Sequence, residues 1–192
     1  MTRLCFKILV MVFILLQNTP TLFAQTIFKE GSVIGSTGLS LPRFVSLSAG
    51  EANLRTGPGD RYPILWVYVK RGIPLEIIAE YNVWRRVRDS EGTTGWMHSA
   101  LLSGTRFSLI TGSIRTVYAN PSVSSKPVLR VEPNVISSIK SCKNGWCFIN
   151  ITSGLIFLTI SKGLERVTIS KGLEGWIPQE HIWGTYSFEN IK

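Results

Sequence analysis

Acidic residues are scarce in this chain: Asp and Glu number 12 against 21 Lys and Arg, a formal charge of +9. Arg3 and Lys7 are the only charged residues before position 25, so the remainder carries +7. Such a surface favours anionic partners: nucleic acid, membrane headgroups or acidic wall polymers. Histidine occurs twice, at His98 and His181, far apart in the chain, and cysteine three times. That leaves a metal centre without enough ligands, and no cofactor is expected. Also missing is any apolar run of the roughly 20 residues needed to span a membrane as a helix. The longest, Ile8–Leu16, is much shorter.

That run belongs to a leader. Met1–Lys7 is a basic stretch, Ile8–Leu16 is uninterruptedly apolar, and Asn18-Thr19-Pro20 breaks it ahead of Leu22-Phe23-Ala24. The order is that of a secretory signal peptide cleaved after Ala24, with an uncleaved anchor as the alternative. Cys5 precedes the apolar run and is not placed for a lipid anchor. Export to the periplasm or cell envelope makes nucleic acid an unsuitable partner and leaves the membrane a transient one. It also leaves Cys142 and Cys147 as a pair in an oxidising compartment. They flank Lys143-Asn144-Gly145-Trp146, and Asn-Gly is a strong hairpin turn, so a disulfide across the hairpin is expected. Its short loop limits the stabilisation to about 2 kcal/mol.

Gln25–Pro42, rich in Ser, Gly and Thr, reads as a flexible linker. From Phe44 the chain is a succession of short β-prone runs with no helical period. Asn53-Leu54-Arg55 alternates polar and apolar and is stopped by Gly57-Pro58-Gly59. Ile64–Val69 is continuously apolar, Leu75–Tyr81 and Trp84–Arg88 form a hairpin around Asn82-Val83, and Gly95-Trp96-Met97 opens a last strand. Five or six strands in sixty residues point to a small β-barrel. The pattern then recurs more loosely. Val117-Tyr118-Ala119-Asn120-Pro121 matches Leu54–Pro58, Pro127–Val131 matches Pro63–Val67, Gly145–Ile149 matches Val83–Val87, and Gly175-Trp176-Ile177 matches Gly95-Trp96-Met97.

Asn53-Leu54-Arg55-x-Gly57-Pro58-Gly59, Tyr62-Pro63-Ile64, Trp84-x-x-Val87 and Gly95-Trp96 together resemble a bacterial SH3-like (SH3b) domain. The pair of copies, with Cys142, Trp146-Cys147, Gly175-Trp176 and Trp183-Gly184-x-Tyr186, is similar to exported tandem SH3b proteins. The resemblance implies an all-β chain of two tandem SH3-like barrels, no catalytic centre, and binding to peptidoglycan or envelope proteins; oligomeric state stays open. The expected division is a leader at 1–24, a linker at 25–42, a first domain at 43–103 and a second at 104–187. Wall hydrolases that carry such modules need a further catalytic domain, for which two barrels leave no room. The main alternative function is a protein–protein adaptor at the envelope.

Within the first copy, Tyr62, Trp66 and Tyr81 are the candidate aromatic platform of a ligand groove, with Asn53 and Arg55 on its rim. Arg86 and Arg88 project from one face of their strand and Arg85 from the other, offering a cationic rim for stem-peptide carboxylates. Trp84, Trp96, Trp146 and Trp176, at equivalent points of the copies, are expected in the barrel cores. The histidines are expected to be matching structural residues. The second copy has Tyr118 where the first has Arg55, and Asn120 where it has Gly57.

The second copy also carries a nine-residue repeat over about 150–176, with glycine at 154, 163 and 172. Using every turn would give a meander; using the central one gives a single long hairpin with its tip at Lys162-Gly163. The long hairpin is preferred, because it keeps Ile149 opposite Trp176 and sets Ile156 against Ile169 and Leu158 against Val167. A partly disordered expansion is the competing reading.

Overall fold

Residues 33–152, 172–187 and 189–192, with the backbone of 155–160 and 163–168, are described in this structure, a computed structural model. The expected leader and the linker as far as residue 32 lie outside them.

Alternating sequence becomes strand throughout, and the described chain falls into a small hairpin and two curled antiparallel sheets. The hairpin is β1 (Val33–Ile34) with β2 (Ser40–Leu41). The first sheet comprises β3 (Arg43–Leu47), β4 (Ala52–Arg55), β5 (Ile64–Tyr68), β6 (Pro74–Tyr81), β7 (Trp84–Arg88), β8 (Thr94–His98) and β9 (Leu102–Ser103). Its order is β5-β4-β8-β7-β6-β3-β9. The second comprises β10 (Phe107–Ile110), β11 (Arg115–Tyr118), β12 (Pro127–Val131), β13 (Ile136–Lys143), β14 (Trp146–Ile151), β15 (Leu155–Ile160), β16 (Gly163–Thr168), β17 (Leu173–Pro178) and β18 (Ile182–Trp183). Its order is β16-β15-β12-β11-β17-β14-β13-β10-β18. Each encloses its own apolar core, Leu47, Leu54, Leu75, Val87 and Met97 in the first, Ile110, Val117, Leu129, Ile149 and Ile177 in the second.

The two sheets repeat each other pair by pair. In β4–β5 the register slips between Leu54 and Arg55; in β11–β12 it slips between Val117 and Tyr118. Arg55 then bridges Trp96 on β8, and Tyr118 bridges Trp176 on β17. Glu80 opposes Arg85 in β6–β7, at the place where Cys142 opposes Cys147 in β13–β14. The cysteines are joined as a disulfide with Cα atoms 4.1 Å apart. Glycine makes the closing bridge possible. A Cβ on Gly95 would sit 2.6 Å from Leu54 Cγ and 2.9 Å from the Arg55 carbonyl; on Gly175, 2.5 Å from Val117 Cγ1 and 2.9 Å from the Tyr118 carbonyl.

Four expectations change. Residues 33–42, expected as linker, form the β1–β2 hairpin, and Leu41 is buried in the first core. The anchor is Glu80, whose side chain is 1% exposed. It accepts from the Thr37 amide at 2.9 Å, Thr37 Oγ1 at 2.8 Å, Ser36 Oγ at 3.1 Å and Arg43 Nη2 at 2.6 Å. The second unit runs past 187, because Ile191 exchanges both backbone hydrogen bonds with Cys142 at 2.8 and 3.0 Å. His98 opposes Trp84, but the corresponding partner of Trp146 is Pro178, so the two histidines are not equivalent.

The fourth concerns the repeat. β14 and β17 are direct neighbours and β15 and β16 form a hairpin, but Gly163 is the first residue of β16 and not part of the tip: Ile160 pairs with Gly163, Ile156 with Val167 and Leu158 with Glu165, two residues from the expected register. Phe148, rather than Ile149, opposes Trp176. The cause is a change of neighbour: β15 leaves the β14–β17 ladder and pairs with β12, setting Leu158 against Leu129 and Ile156 against Val131. A strand that switches partners must break its ladder, and the register is reset at the break. Residues 153–154, 161–162 and 169–171 of the repeat lie outside the described residues.

Two outcomes test these contacts. Gly95→Ala forces side chain against backbone and should lower stability by about 1–3 kcal/mol, read as a urea midpoint, while Gly50→Ala, with nothing within 4 Å, leaves it unchanged. Burial alone would raise the Glu80 pKa, but its hydrogen bonds from Arg43, Thr37 and Ser36 outweigh that and bring it from 4.5 down to about 2. A carboxyl depressed on folding stabilises above the unfolded value and loses that contribution as pH falls through the folded one. Stability should therefore drop between pH 4.5 and 2, and drop less steeply in Glu80→Gln; equal slopes would remove Glu80 from this role.

Candidate functional site

The Gly-Pro-Gly turn after β4 does more than stop a strand. The Tyr62 ring folds back onto it so closely that a Cβ on Gly57 would lie 2.3 Å from Tyr62 Cδ1. The fold-back aims the Tyr62 carbonyl at Arg55, whose Nη1 donates to it at 2.8 Å. Arg55 Nη2 lies 4.0 Å from Asp60 Oδ1, and with Asp60 90% exposed this ion pair is weak and open to competition. A tight turn thus converts a flexible arginine into a positioned one.

Strand alternation places Ala52 and Leu54 in the core and Asn53 and Arg55 on the outer face. On β8, Gly95 and Met97 face inward, so Trp96 and His98 face outward. Pairing lines up Arg86, Trp96 and Arg55 across β7, β8 and β4: two guanidinium groups with an indole between them, in register. Trp84 and His98 form the neighbouring pair, their rings edge to face with centroids 5.6 Å apart. His98 Nδ1 accepts from the Ala100 amide at 3.2 Å, which leaves Nε2 as the ring's other nitrogen. Glu51, Asn53, Arg55, Asp60, Trp84 and His98 line one open cleft of about 220 Å³. Among the described residues Arg86 has no hydrogen-bond or ion-pair partner. Flat aromatic surface, free and positioned guanidinium, and an amide side chain can together hold a polar chain bearing carboxylates.

The expected groove residues divide. Asn53, Arg55 and Arg86 share the outer face, and Tyr81, 55% exposed, stands opposite Trp84 at its margin. Tyr62 supports the site from beneath the turn. Trp66 does not join them. It lies opposite Leu54, on the inward side of β5, and borders a different cleft of about 310 Å³ with Tyr68, Asp89 and Ile136. There Tyr68 donates to Asp89 Oδ2 at 2.8 Å, and burial, then Asp89, pushes the phenol above its ordinary range.

Arg88 is withdrawn as well. Its Nε donates to Glu76 at 2.8 Å and its Nη2 at 2.5 Å. Glu76 is 2% exposed and also accepts from Tyr186 Oη at 2.9 Å, a contact that joins the first sheet to the end of the second. Burial, then the Glu76 bond, raises the Tyr186 phenol. Phe44 completes the seam, packed edge-on against Trp183 at 5.0 Å and tilted against Tyr186 at 4.7 Å. Arg85 faces inward, as alternation requires, donating to the Asn82 and Trp84 carbonyls at 2.7 and 2.9 Å.

The tryptophans correct a further expectation. Trp84 is buried, but in the outer cluster with His98, while Trp96, Trp146 and Trp176 are half-buried, and no tryptophan belongs to either core. Apart from Tyr68, Met97 and the cystine the cores are aliphatic, and these four indoles lie on the outer faces. Trp96, Trp84 and His98 were thus missed as site residues, although Gly95-Trp96-Met97-His98 carries the signal: if Met97 points in, its neighbours point out.

Residues 48–104 match the family model of the bacterial SH3 domain. No curated protein matches the chain. The SH3b segment spans β4 to β9 and contains every residue of the outer-face cleft. At the corresponding places of the second sheet stand Tyr118, Trp176 and Phe148, an uncharged aromatic row with Phe148 and Trp176 rings 5.3 Å apart. No helix among the described residues is long and apolar enough to cross a membrane.

Proposed function

We propose that the chain is an exported, non-catalytic cell-envelope protein of two tandem SH3-like barrels, and that the first barrel binds peptidoglycan through its stem peptides. The observation that carries the reading is the Arg86–Trp96–Arg55 row within the SH3b segment. A wall polymer presents sugar faces suited to an indole and peptide carboxylates suited to arginine, and bonds to charged groups are the stronger ones. The matched registers support the second barrel, and the apolar run Ile8–Leu16 behind a basic start supports export. Replacement of Arg55 by Tyr118 and of Arg86 by Phe148 assigns the second barrel another role. Its aromatic row suits a protein surface, which is the ground for an adaptor function as the second reading.

Retention on purified sacculi separates the two. The wild type should sediment with the wall, and Arg55→Ala or Arg86→Ala should each weaken retention by about ten- to a hundred-fold, the size expected for one charge-assisted bond of about 1.5–3 kcal/mol. Tyr118→Ala should bind normally. Wild-type protein left in the supernatant would falsify wall binding and favour the adaptor; release of soluble wall fragments would make the protein an enzyme.

A further inference from the structure

Among the described residues the first sheet ends at β5, which pairs with β4 on one side and with no described strand on the other, so the backbone N–H and C=O groups of that edge have no described partner strand. Soluble proteins protect such an edge with charge, proline or a covering segment. Ile64–Val69 contains neither a charged residue nor proline. Five of its six side chains are open, on both faces: Ile64 and Leu65 are 50% exposed, Trp66 59%, Val67 40% and Val69 74%, and Tyr68 is the buried one at 7%.

The second sheet indicates what such an edge receives. Its β12 is the counterpart of β5, with the same slip against its inner neighbour, and its outer edge is covered by an antiparallel strand, β15, along Leu129–Val131. The slip is therefore no obstacle to adding a strand. By the matched pairings, Leu129, Arg130 and Val131 correspond to Trp66, Val67 and Tyr68. The residue exposed at the middle of this stretch is Arg130 where β15 covers the edge, and Val67 where nothing described does.

We propose that β5 is a docking edge for a second copy of this chain, the two β5 strands pairing antiparallel about a two-fold axis at Val67. The covering strand seen at the equivalent edge is antiparallel and apolar, and β5 is itself such a strand. An axis at Val67 sets Trp66 of each copy opposite Tyr68 of the other, an aromatic cross-strand pair of the stabilising kind. A two-fold contact uses both edges and closes, giving a dimer and no further growth. Strand addition of this kind draws affinity from main-chain hydrogen bonds and specificity from alternate side chains. The dimer does not depend on what the outer face binds, but it would set two such faces in one particle, which on a repeating polymer converts the second contact into an intramolecular one.

Sedimentation equilibrium on the protein tests this directly. The expected result is a monomer–dimer equilibrium that Val67→Lys shifts to monomer by at least ten-fold in dissociation constant, while Val83→Lys, at a residue similarly exposed (49%) on the β6–β7 hairpin, leaves it unchanged. Hydrogen exchange on the unaltered chain gives a reading that needs no variant: amides of Trp66–Tyr68 should gain protection as concentration rises, with β7 unaffected. A monomer at every concentration overturns the proposal and leaves the edge to a strand of another protein. A dimer that persists in Val67→Lys, or forms without protection in β5, overturns it equally.

Discussion

Each sheet is closed at a place where two backbones come too near for a side chain. The strand that carries the outer-face arginine meets the following Gly-Trp strand through one bridged pair, Arg55 with Trp96 or Tyr118 with Trp176. The glycine before each tryptophan lies against the core leucine or valine of the other strand. A Cβ there would meet the opposite backbone carbonyl at 2.9 Å in both sheets. The functional row is a consequence of that closure. Arg55 and Arg86 are not neighbours in sequence or in any hairpin, and they share a surface only because β8 is drawn in between β4 and β7.

With the frame held constant, one cross-strand position differs most in chemistry. In the first sheet it holds Glu80 and Arg85; in the second, a disulfide buried in the apolar core. A buried carboxylate is costly unless its lone pairs are filled, and four donors from Ser36, Thr37 and Arg43 fill them. Those donors fasten the β1–β2 hairpin. At the equivalent point Cys142 fastens Ile191 by a pair of backbone hydrogen bonds, with the Ile191 side chain packed on the core. One position therefore secures an outlying segment in both sheets, by side-chain charge in one and by main-chain pairing in the other.

Local pattern made most of the strands legible, and the matching of the two copies survives except along β5 and β12, where the paired registers set Leu129 at the place of Trp66 and not of Leu65, one residue from the expected match. What local pattern lacked was the second partner of a strand. Arg88 reads as a free cation until β6 sets Glu76 directly across from it and Tyr186 covers the pair. Trp66 reads as a groove aromatic until the slip after Leu54 turns it to the inward side. The tryptophans were misplaced for a different reason. Size suggested burial, but alternation beside Met97 and Ile177 sends them outward, and period two is the stronger constraint in a strand. In the repeat, turn residues disclosed a hairpin, whereas no residue announced that β15 would pair with β12.

That last pairing bears on how the two sheets divide their work. Strand order β5-β4-β8-β7 puts three inter-strand spacings, about 14 Å, between β5 and β7. A strand added beyond β5 extends the sheet in its own plane, away from β8 and β7, and leaves the Arg86–Trp96–Arg55 row open. Edge and face are therefore separable surfaces, and occupation of one does not exclude use of the other. In the second sheet the edge is filled from within the same chain and the row has lost its arginines. Among the described residues the first sheet alone combines the arginine-bearing face with an uncovered edge at β5, so assembly through that edge multiplies the charged face without covering it.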